Sequence, residues 1–414
     1  MKTLFTTLLI ILCSVILTAQ DVYVVGYESN GSNSKAMLWI NGVPQDLTDG
    51  TTIANATSVF VHNSDVYVAG TVDLTARLWI NGVPQTLPDG RYANSVFVSG
   101  SDIYVAGTQF HSTTNNNEAV IWKNGVIQHF PGYVDTKITS ANSIFVKGSD
   151  VYAAGNEISG SYSPARLWKN GIEQNLTDGS NTANAYSVFV DNSDVYVSGF
   201  QVYGSPPLNY AKLWKNNNSQ DLTDGSDLSA RAYSVFIYDG DSYAVGSTYN
   251  TQSDAKLWKN GVEEDLTDGS NASVAYSVYV SGGDVYAAGY EEIGSIKIAK
   301  LWINGVSQNL SDGTNNAEAS AVFVNDGQMG NQNESDFNNK TEIFPNPAEN
   351  FVNIKSKLPV KSIELYDNSG RRIKSPTSIN QSQTKLNLEE IPSGIYYIRI
   401  QTEMGWEIQK LVKK

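Results

Sequence analysis

Leu-Thr-Asp-Gly, or a close variant of it, places a carboxylate at Asp49, Asp89, Asp178, Asp224, Asp268 and Asp312. Carboxylates recurring at equivalent positions raise the chemistry of a hard cation such as calcium, which takes clustered oxygen ligands. Their spacing speaks against it. Each belongs to a separate stretch of chain, no D-x-D-x-D-G loop is present, and one stretch carries HFPGYVD instead. Asp-Gly is also the pair that a tight turn favours. We expect turns here, and neither a metal nor another cofactor.

Catalysis has little else to draw on. His62 lies in an expected turn, His111 in a loop, and His129 where related stretches carry Asn or Asp. None pairs with a Ser or Cys nucleophile at a known spacing. A glycosidase needs two carboxylates flanking its substrate. The acids that stand out here do so by repetition, and a catalytic pair would break the repeat. No catalytic residue is assigned and an enzyme is not expected. A carboxylate-dependent hydrolase stays as the alternative, beside a surface protein with a purely structural role.

The elements that position these residues repeat as well. Trp39, Trp79, Trp122, Trp168, Trp214, Trp258 and Trp302 recur every 40 to 46 residues. A tyrosine recurs with them in D-V-Y-x-x-G, from Tyr23 and Tyr67 to Tyr286. At one per unit, both aromatics are expected to pack between units. Each unit has four short runs rich in Val, Ile, Tyr, Phe and Trp: A-x-S-V-F-V, D-V-Y-V-A-G, A-x-L-W-x-N-G and V-x-Q-x-L. No helical periodicity interrupts them. Asn-Gly between the last two is a hairpin signal, because both residues tolerate positive φ. The fifth unit has Asn216-Asn217-Asn218 there instead. A period of this length with four strands per unit predicts a propeller of seven blades. Runs such as Val66–Ala69 are apolar on both faces, as a blade packed between two neighbours requires.

The register at the two ends predicts how the ring closes. The repeats open on Asp21-Val22-Tyr23, a second strand, and end on Ala321-Val322-Phe323-Val324, a first strand. The closing strand then completes the opening blade and leaves few free edges. The strand order resembles that of WD-repeat propellers, though Trp is followed here by Ile or Lys and not by Asp. The V-Y-V-A-G, L-W-K-N-G and L-T-D-G wording resembles a family of bacterial exported repeat proteins, which implies fold and export and no activity.

Beyond the repeats the chain changes character. Residues 1–19 read as a secretory signal, with Lys2, an apolar run from Leu4 to Leu17 and a small Ala19. Cys13 within it is the chain's one cysteine, so the exported part must rest on its core without disulfides. The net charge is -14, and residues 20–341 alone carry -18. So acidic a domain repels phosphate backbones, and no nucleic-acid partner is expected.

Residues 325–341 are polar and read as a linker, bounding the propeller at 20–324. From 342 to 414, alternating strands and Asn-Ser-Gly and Pro-Ser-Gly turns predict a small β-sandwich. Pro345-Asn346-Pro347, the hairpin ending at Gly370, Gly394-Ile395-Tyr396 and the basic end with Lys410, Lys413 and Lys414 strongly resemble the C-terminal sorting domain of type IX secretion cargo. That resemblance implies Sec export, contact with the type IX machinery, and delivery to the outer cell surface or the medium. The tail is then removed or exchanged for an anchor. The overall expectation is all-β: a seven-bladed β-propeller followed by a sandwich sorting domain.

Units differ in length mainly at two joints, strand two to three and Leu-Thr-Asp-Gly to the next unit. Antiparallel alternation puts both joints on one face. Long variable loops on a rigid ring are where recognition usually sits. These loops carry Tyr27, Phe110, His111, Tyr162, Phe200, Tyr203, Tyr210, Tyr249 and Tyr290. Aromatic and amide side chains suit an extracellular glycan or protein. The expectation is a monomeric binding or adhesion module that engages such a ligand through this face.

Overall fold

A computed structural model describes residues 20–111, 115–130, 138–158, 162–325, 341–367, 372–402 and 405–414. The leader at 1–19, most of the linker at 325–341 and Gly370 lie outside the described residues. The chain divides into two compact units, Met1–Gly330 and Asn331–Lys414. No helix occurs among the described residues.

The first unit is a seven-bladed propeller. Its described strands form sets of four, each antiparallel and in chain order from an inner strand to an outer one. The inner strands of blades two to seven are Ala54–His62, Gly90–Ser99, Ile138–Lys147, Ala183–Asp191, Ser229–Tyr238 and Ser273–Ser281. Blade one breaks chain order. Its inner strand is Asn316–Asn325, paired with Asp21–Ser29, which pairs in turn with Ser34–Ile40. The expected closure is therefore present. A single parallel bridge, Asn209 to Ser229, joins blades five and six.

The repeated wording is accounted for residue by residue. Asn81 of the Asn-Gly turn accepts from Val66 N–H at 2.9 Å and donates to Asp65 at 2.8 Å, tying the third strand's end to the second strand's start. Asn124, Asn170, Asn216 and Asn304 repeat both bonds. In Leu-Thr-Asp-Gly, Leu222 enters the core and Thr223 accepts from Ala211 N–H. Asp224 accepts from Ser226 N–H at 2.9 Å, and Gly225 takes a φ of 86°. The tryptophans are core, with Trp79, Trp122, Trp214 and Trp302 fully buried.

The inner strands carry a shared irregularity. In every blade the register slips at the residue before the Ser of S-V-F-V, or before Ala321 in blade one: at Tyr233, for example, between Ala232 and Ser234. The bulge turns that serine toward the next blade. Val96 N–H donates to Ser58 Oγ at 3.1 Å, Val188 N–H to Ser143 Oγ at 3.1 Å, and Val322 N–H to Ser277 Oγ at 3.1 Å. Three further joints repeat the bond. The joint from blade one to blade two lacks it, because Ala321 stands where the others have serine. Two residues on, Phe60, Phe97, Phe145, Phe189, Phe236, Tyr279 and Phe323 make a closed ring with neighbouring centroids 4.6 to 5.1 Å apart. Equivalent points on seven blades stand this close only about 6 Å from the axis, so these rings narrow the axial channel.

The second unit is one antiparallel sheet of Glu342–Phe344, Phe351–Asp367, Arg372–Asn387, Gly394–Thr402 and Gly405–Lys413. It curls around its own core, which includes Val352, Ile354, Leu365, Ile398, Ile400 and Leu411.

Two predictions follow from the ring and its turns. Ala321→Ser supplies the missing seventh inter-blade acceptor. It should stabilise the propeller by about 1 kcal/mol, the net worth of one such bond, and Ser187→Ala should cost a similar amount. Urea titration of both variants checks the pair, and an Ala321→Ser midpoint at or below the parent's would deny the bond any role in closure. The second concerns acid. Hydrogen bonds from Ser180, Ser226, Ser270 and Thr314 hold Asp178, Asp224, Asp268 and Asp312 below the ordinary carboxyl value. Lys123, Lys169 and Lys215 do the same for Asp102, Asp150 and Asp194. Groups depressed in the folded state favour folding above the unfolded carboxyl value of about 4, and lose that contribution as pH falls through their lower folded values. His62, lowered by burial, adds a smaller loss that begins below its ordinary 6.5. The urea midpoint should therefore decline slightly from pH 7 to 5 and steeply below about pH 4.

Candidate functional site

The bulge also fixes what points toward the axis. From blade two to blade seven, and then blade one, the bulged residues are Thr57, Asn94, Asn142, Tyr186, Tyr233, Tyr276 and Ser320. All are half-buried. The same position thus holds small polar side chains on one arc and three consecutive tyrosines on the other. Thr57 Oγ1 donates to Ala93 O at 2.7 Å, Asn94 to Ala141 O at 2.8 Å and Asn142 to Ala185 O at 2.9 Å. Across the other arc, the Tyr186 and Tyr233 centroids stand 5.0 Å apart, and those of Tyr233 and Tyr276 5.3 Å. That spacing places the tyrosines near the axis for the reason given for the phenylalanine ring. They lie three residues before it, about 10 Å along the strand toward the loop-rich face.

Two residues further toward that face, the inner strands carry Arg231 in blade six and Glu318 in blade one. Their backbone is held by a close approach that only glycine permits. A Cβ on Gly246 would lie 1.8 Å from Arg231 O, and one on Gly26 would lie 1.9 Å from Glu318 O. Arg231 lies 5.2 Å from the Phe200 ring centroid and hydrogen-bonds Tyr233. Tyr186 packs against both Tyr233 and Phe200. Glu318 is buried and accepts from Tyr27 Oη at 2.7 Å and Lys297 Nζ at 2.8 Å. Lys297 lies 4.3 Å from the Tyr290 centroid. Burial, joined at Tyr276 by the Glu318 charge, raises the Tyr186 and Tyr276 hydroxyls well above their ordinary value. Both therefore stay protonated and can donate.

The aromatics expected on the loops separate into groups. Tyr27, Phe200 and Tyr290 converge on this axial mouth, but Phe200 and Tyr290 are buried and act as backing, with little ring surface for a partner. Tyr203 and Tyr210 form an edge-on pair at 5.4 Å on blade five. Phe110 lies under Arg91 at 4.6 Å on blade three. Tyr162 and Tyr249 are exposed. His111 and His129 both bond the buried Glu118, at 2.7 and 3.0 Å. Among the described residues, no group of three or more His, Cys, Asp or Glu side chains is placed to hold a metal. Asp49, Asp178, Asp224, Asp268 and Asp312 are bonded within their own turns, and Asp89 stands in a turn of its own kind with a φ of 55°.

Tyr186, Tyr233, Tyr276, Arg231 and Glu318 were not anticipated from the sequence. A signal for three of them was present. They occupy the one variable position of A-x-S-V-F-V, a motif otherwise nearly constant.

In the second unit, some of the residues singled out for sorting are joined. Asn346 Oδ1 accepts from Val412 N–H at 2.9 Å, Ala348 N–H donates to Val412 O at 2.8 Å, and Lys414 N–H donates to Ala348 O at 2.9 Å. The Pro345–Pro347 turn is thereby fastened to the last strand, which carries Lys410 and Lys413. Tyr396 is buried and donates to Pro392 O at 2.9 Å.

Residues 342–414 match the secretion system C-terminal sorting domain. The chain is thus type IX cargo, exported to the cell surface or extracellular space. No curated protein matches the chain. Among solved structures, it is similar to the β-propeller domain of the Trilobed protease from Pyrococcus furiosus, at 11% identity and a TM-score of 0.46, covering 71% of this chain and 92% of that one. It is also similar to the Pyrococcus horikoshii acylaminoacyl peptidase, at 12% identity and a TM-score of 0.44, covering 82% of this chain. Porphyromonas gingivalis dipeptidyl peptidase 4 matches at 7% identity and a TM-score of 0.37, with 81% of this chain covered. The chain spans 56% of the length of each of these two peptidases. At such identities nothing of a peptidase's activity transfers.

The sorting tail yields a direct expectation. Deleting residues 342–414 should leave a folded propeller in the periplasm, because that stretch is what the export machinery reads. Fractionation of cells expressing both forms checks this, and efficient surface delivery of the shortened chain would refute it.

Proposed function

We propose that this exported propeller is a recognition module that binds a glycan or protein ligand at the axial mouth of its loop-rich face. One observation carries the reading: a single position, set by the same bulge in every blade, has tyrosine on one arc and Asn, Thr or Ser on the other. The Thr and Asn side chains tie one blade to the next, but the three tyrosines hold half-buried rings toward the channel, which a structural spacer has no need for. Flat rings facing amides and hydroxyls suit a ligand with one apolar and one polar side. The hydrolase alternative asks for two carboxylates flanking a substrate. At this mouth Glu318 is already engaged by Tyr27 and Lys297, and we assign it to holding the wall and not to chemistry.

The test is a glycan array and an extracellular-protein panel screened with the full chain, followed by Tyr233→Ala and Tyr276→Ala. Truncating a central aromatic typically costs about 2 kcal/mol, so each variant should bind roughly 30-fold more weakly. Tyr249→Ala, on an outlying loop, should bind as the parent does. Loss with Tyr249→Ala and not with the axial pair would move the site to the outer loops. Turnover of a glycoside or peptide that disappears with Glu318→Gln would favour the hydrolase.

A further inference from the structure

We propose that the axial mouth takes a sugar bearing a carboxylate, of the uronic-acid kind, with Arg231 as the anchor for the acid group. This rests on the mouth being the binding site and adds the chemistry of what enters it.

The charge pattern singles out Arg231. In this acidic propeller, cations on the blades are generally held by carboxylates. Arg166 pairs with Glu157 and Glu173, Lys256 with Glu263 and Asp265, Lys297 with Glu318, and Lys300 with Glu291. Arg231 has no carboxylate within ion-pair distance among the described residues. Its neighbours are the rings of Phe200, Tyr186 and Tyr233, and its Nε is buried with no hydrogen-bond partner. Among the described residues Arg77 and Arg91 also lack an acid, and Arg91 Nε is likewise buried without a partner. But Arg77 bonds Thr86, and Arg91 bonds Asn117 and covers Phe110 on blade three, away from the tyrosine arc. A half-buried guanidinium without a counter-ion is costly where so many carboxylates are on hand, unless the place of the anion is left for a ligand.

The geometry narrows that anion. A planar fork matches a carboxylate bidentately, and one arginine neutralises one negative charge. A doubly charged phosphate would meet the repulsion of the surrounding acidic domain with only half its charge offset. The protonated Tyr186 hydroxyl adds a donor, and the tyrosine rings beside Arg231 offer flat surface to a pyranose face. The Asn and Thr arc opposite spends its donors on the next blade's carbonyls and keeps amide and hydroxyl oxygens to accept from the remaining hydroxyls of the sugar.

The probes are oligogalacturonate and oligoglucuronate, set against galactose and glucose oligomers of equal length, titrated calorimetrically into the full chain at low and high salt. The acidic oligomers should bind at least tenfold more tightly than the neutral ones, and salt should shrink the difference. Arg231→Met should abolish the preference, so that acidic and neutral oligomers bind it equally. Arg231→Lys keeps the charge and the ring contact, guards against a folding defect in the first variant, and should lose most of the preference with the fork. Equal binding of acidic and neutral oligomers, no binding of the acidic ones, or an unchanged preference in both variants would each overturn the proposal. If Tyr233→Ala still abolishes neutral binding in those cases, the mouth remains the site and only the carboxylate is wrong. If neither the tyrosine nor the arginine changes affect any ligand found, the mouth itself is wrong.

Discussion

Every blade turns on one close contact: the carbonyl of the residue three before the inner-strand serine lies against a second-strand glycine. At Gly199 a Cβ would stand 1.9 Å from Asn184 O, closer than any side chain allows. The contact permits the bulge, and the bulge does three things at once. It aims a serine at the next blade's backbone, where it accepts from the valine N–H. It sets the aromatic ring two residues on against its neighbours about the axis. It also lifts one residue out of the ladder, toward the channel. Bulges re-aim side chains at functional sites, and here the same re-aiming builds the scaffold. Glycine at this position is thus a requirement of blade-to-blade cohesion as well as of strand pairing.

The electrostatics are local by comparison. Residues 20–341 carry -18 and invite self-repulsion, yet much of the propeller's acid is engaged close by: in Asx turns at Asp178, Asp224, Asp268 and Asp312, and at strand ends with Asn and Lys. Blade three departs from one of these pairs. Where blade five pairs Lys212 on its third strand with Asp221 on its fourth, blade three has Val120 opposite His129. His129 bonds instead to Glu118, two residues away along the third strand, whose other carboxylate oxygen meets His111. The tie between the outer strands is kept there by hydrogen bonds in place of a lysine–carboxylate pair.

Much of this was legible in the sequence because repetition exposes structural roles. Trp, Asn-Gly and Leu-Thr-Asp-Gly recur, and each proves to serve packing or a turn in every blade that has it. The order of strands at the two ends sufficed for the closure. Functional residues are harder, since they are where a repeat is allowed to differ, and difference alone does not say which way a side chain faces. Loop aromatics such as Phe200 and Tyr290 looked available and are buried. Tyr186, Tyr233 and Tyr276 looked like ordinary strand residues. Only the bulge, a three-dimensional irregularity with no letter of its own, turns that position toward the axis.

Closure and export are linked through the order of the chain. Asp21–Ser29 finds its partner only at Asn316–Asn325, nearly the whole propeller later. Pairing at such separation pays a large loop-closure cost before it returns any stability, and is intrinsically slow. Until it forms, the first blade presents an open strand edge, a template for wrong pairing. The other blades have no such problem, because each is made of consecutive strands. The closing strand ends at Asn325, and the sorting domain begins at 342. In synthesis order, the element that closes the ring therefore comes before the element that the export machinery reads. A chain arranged the other way would present its export signal while the ring was still open. This order lets a closed propeller, with only its short outer edges left, exist by the time the tail can be recognised, which suits a chain with no disulfide available to hold an incomplete ring together.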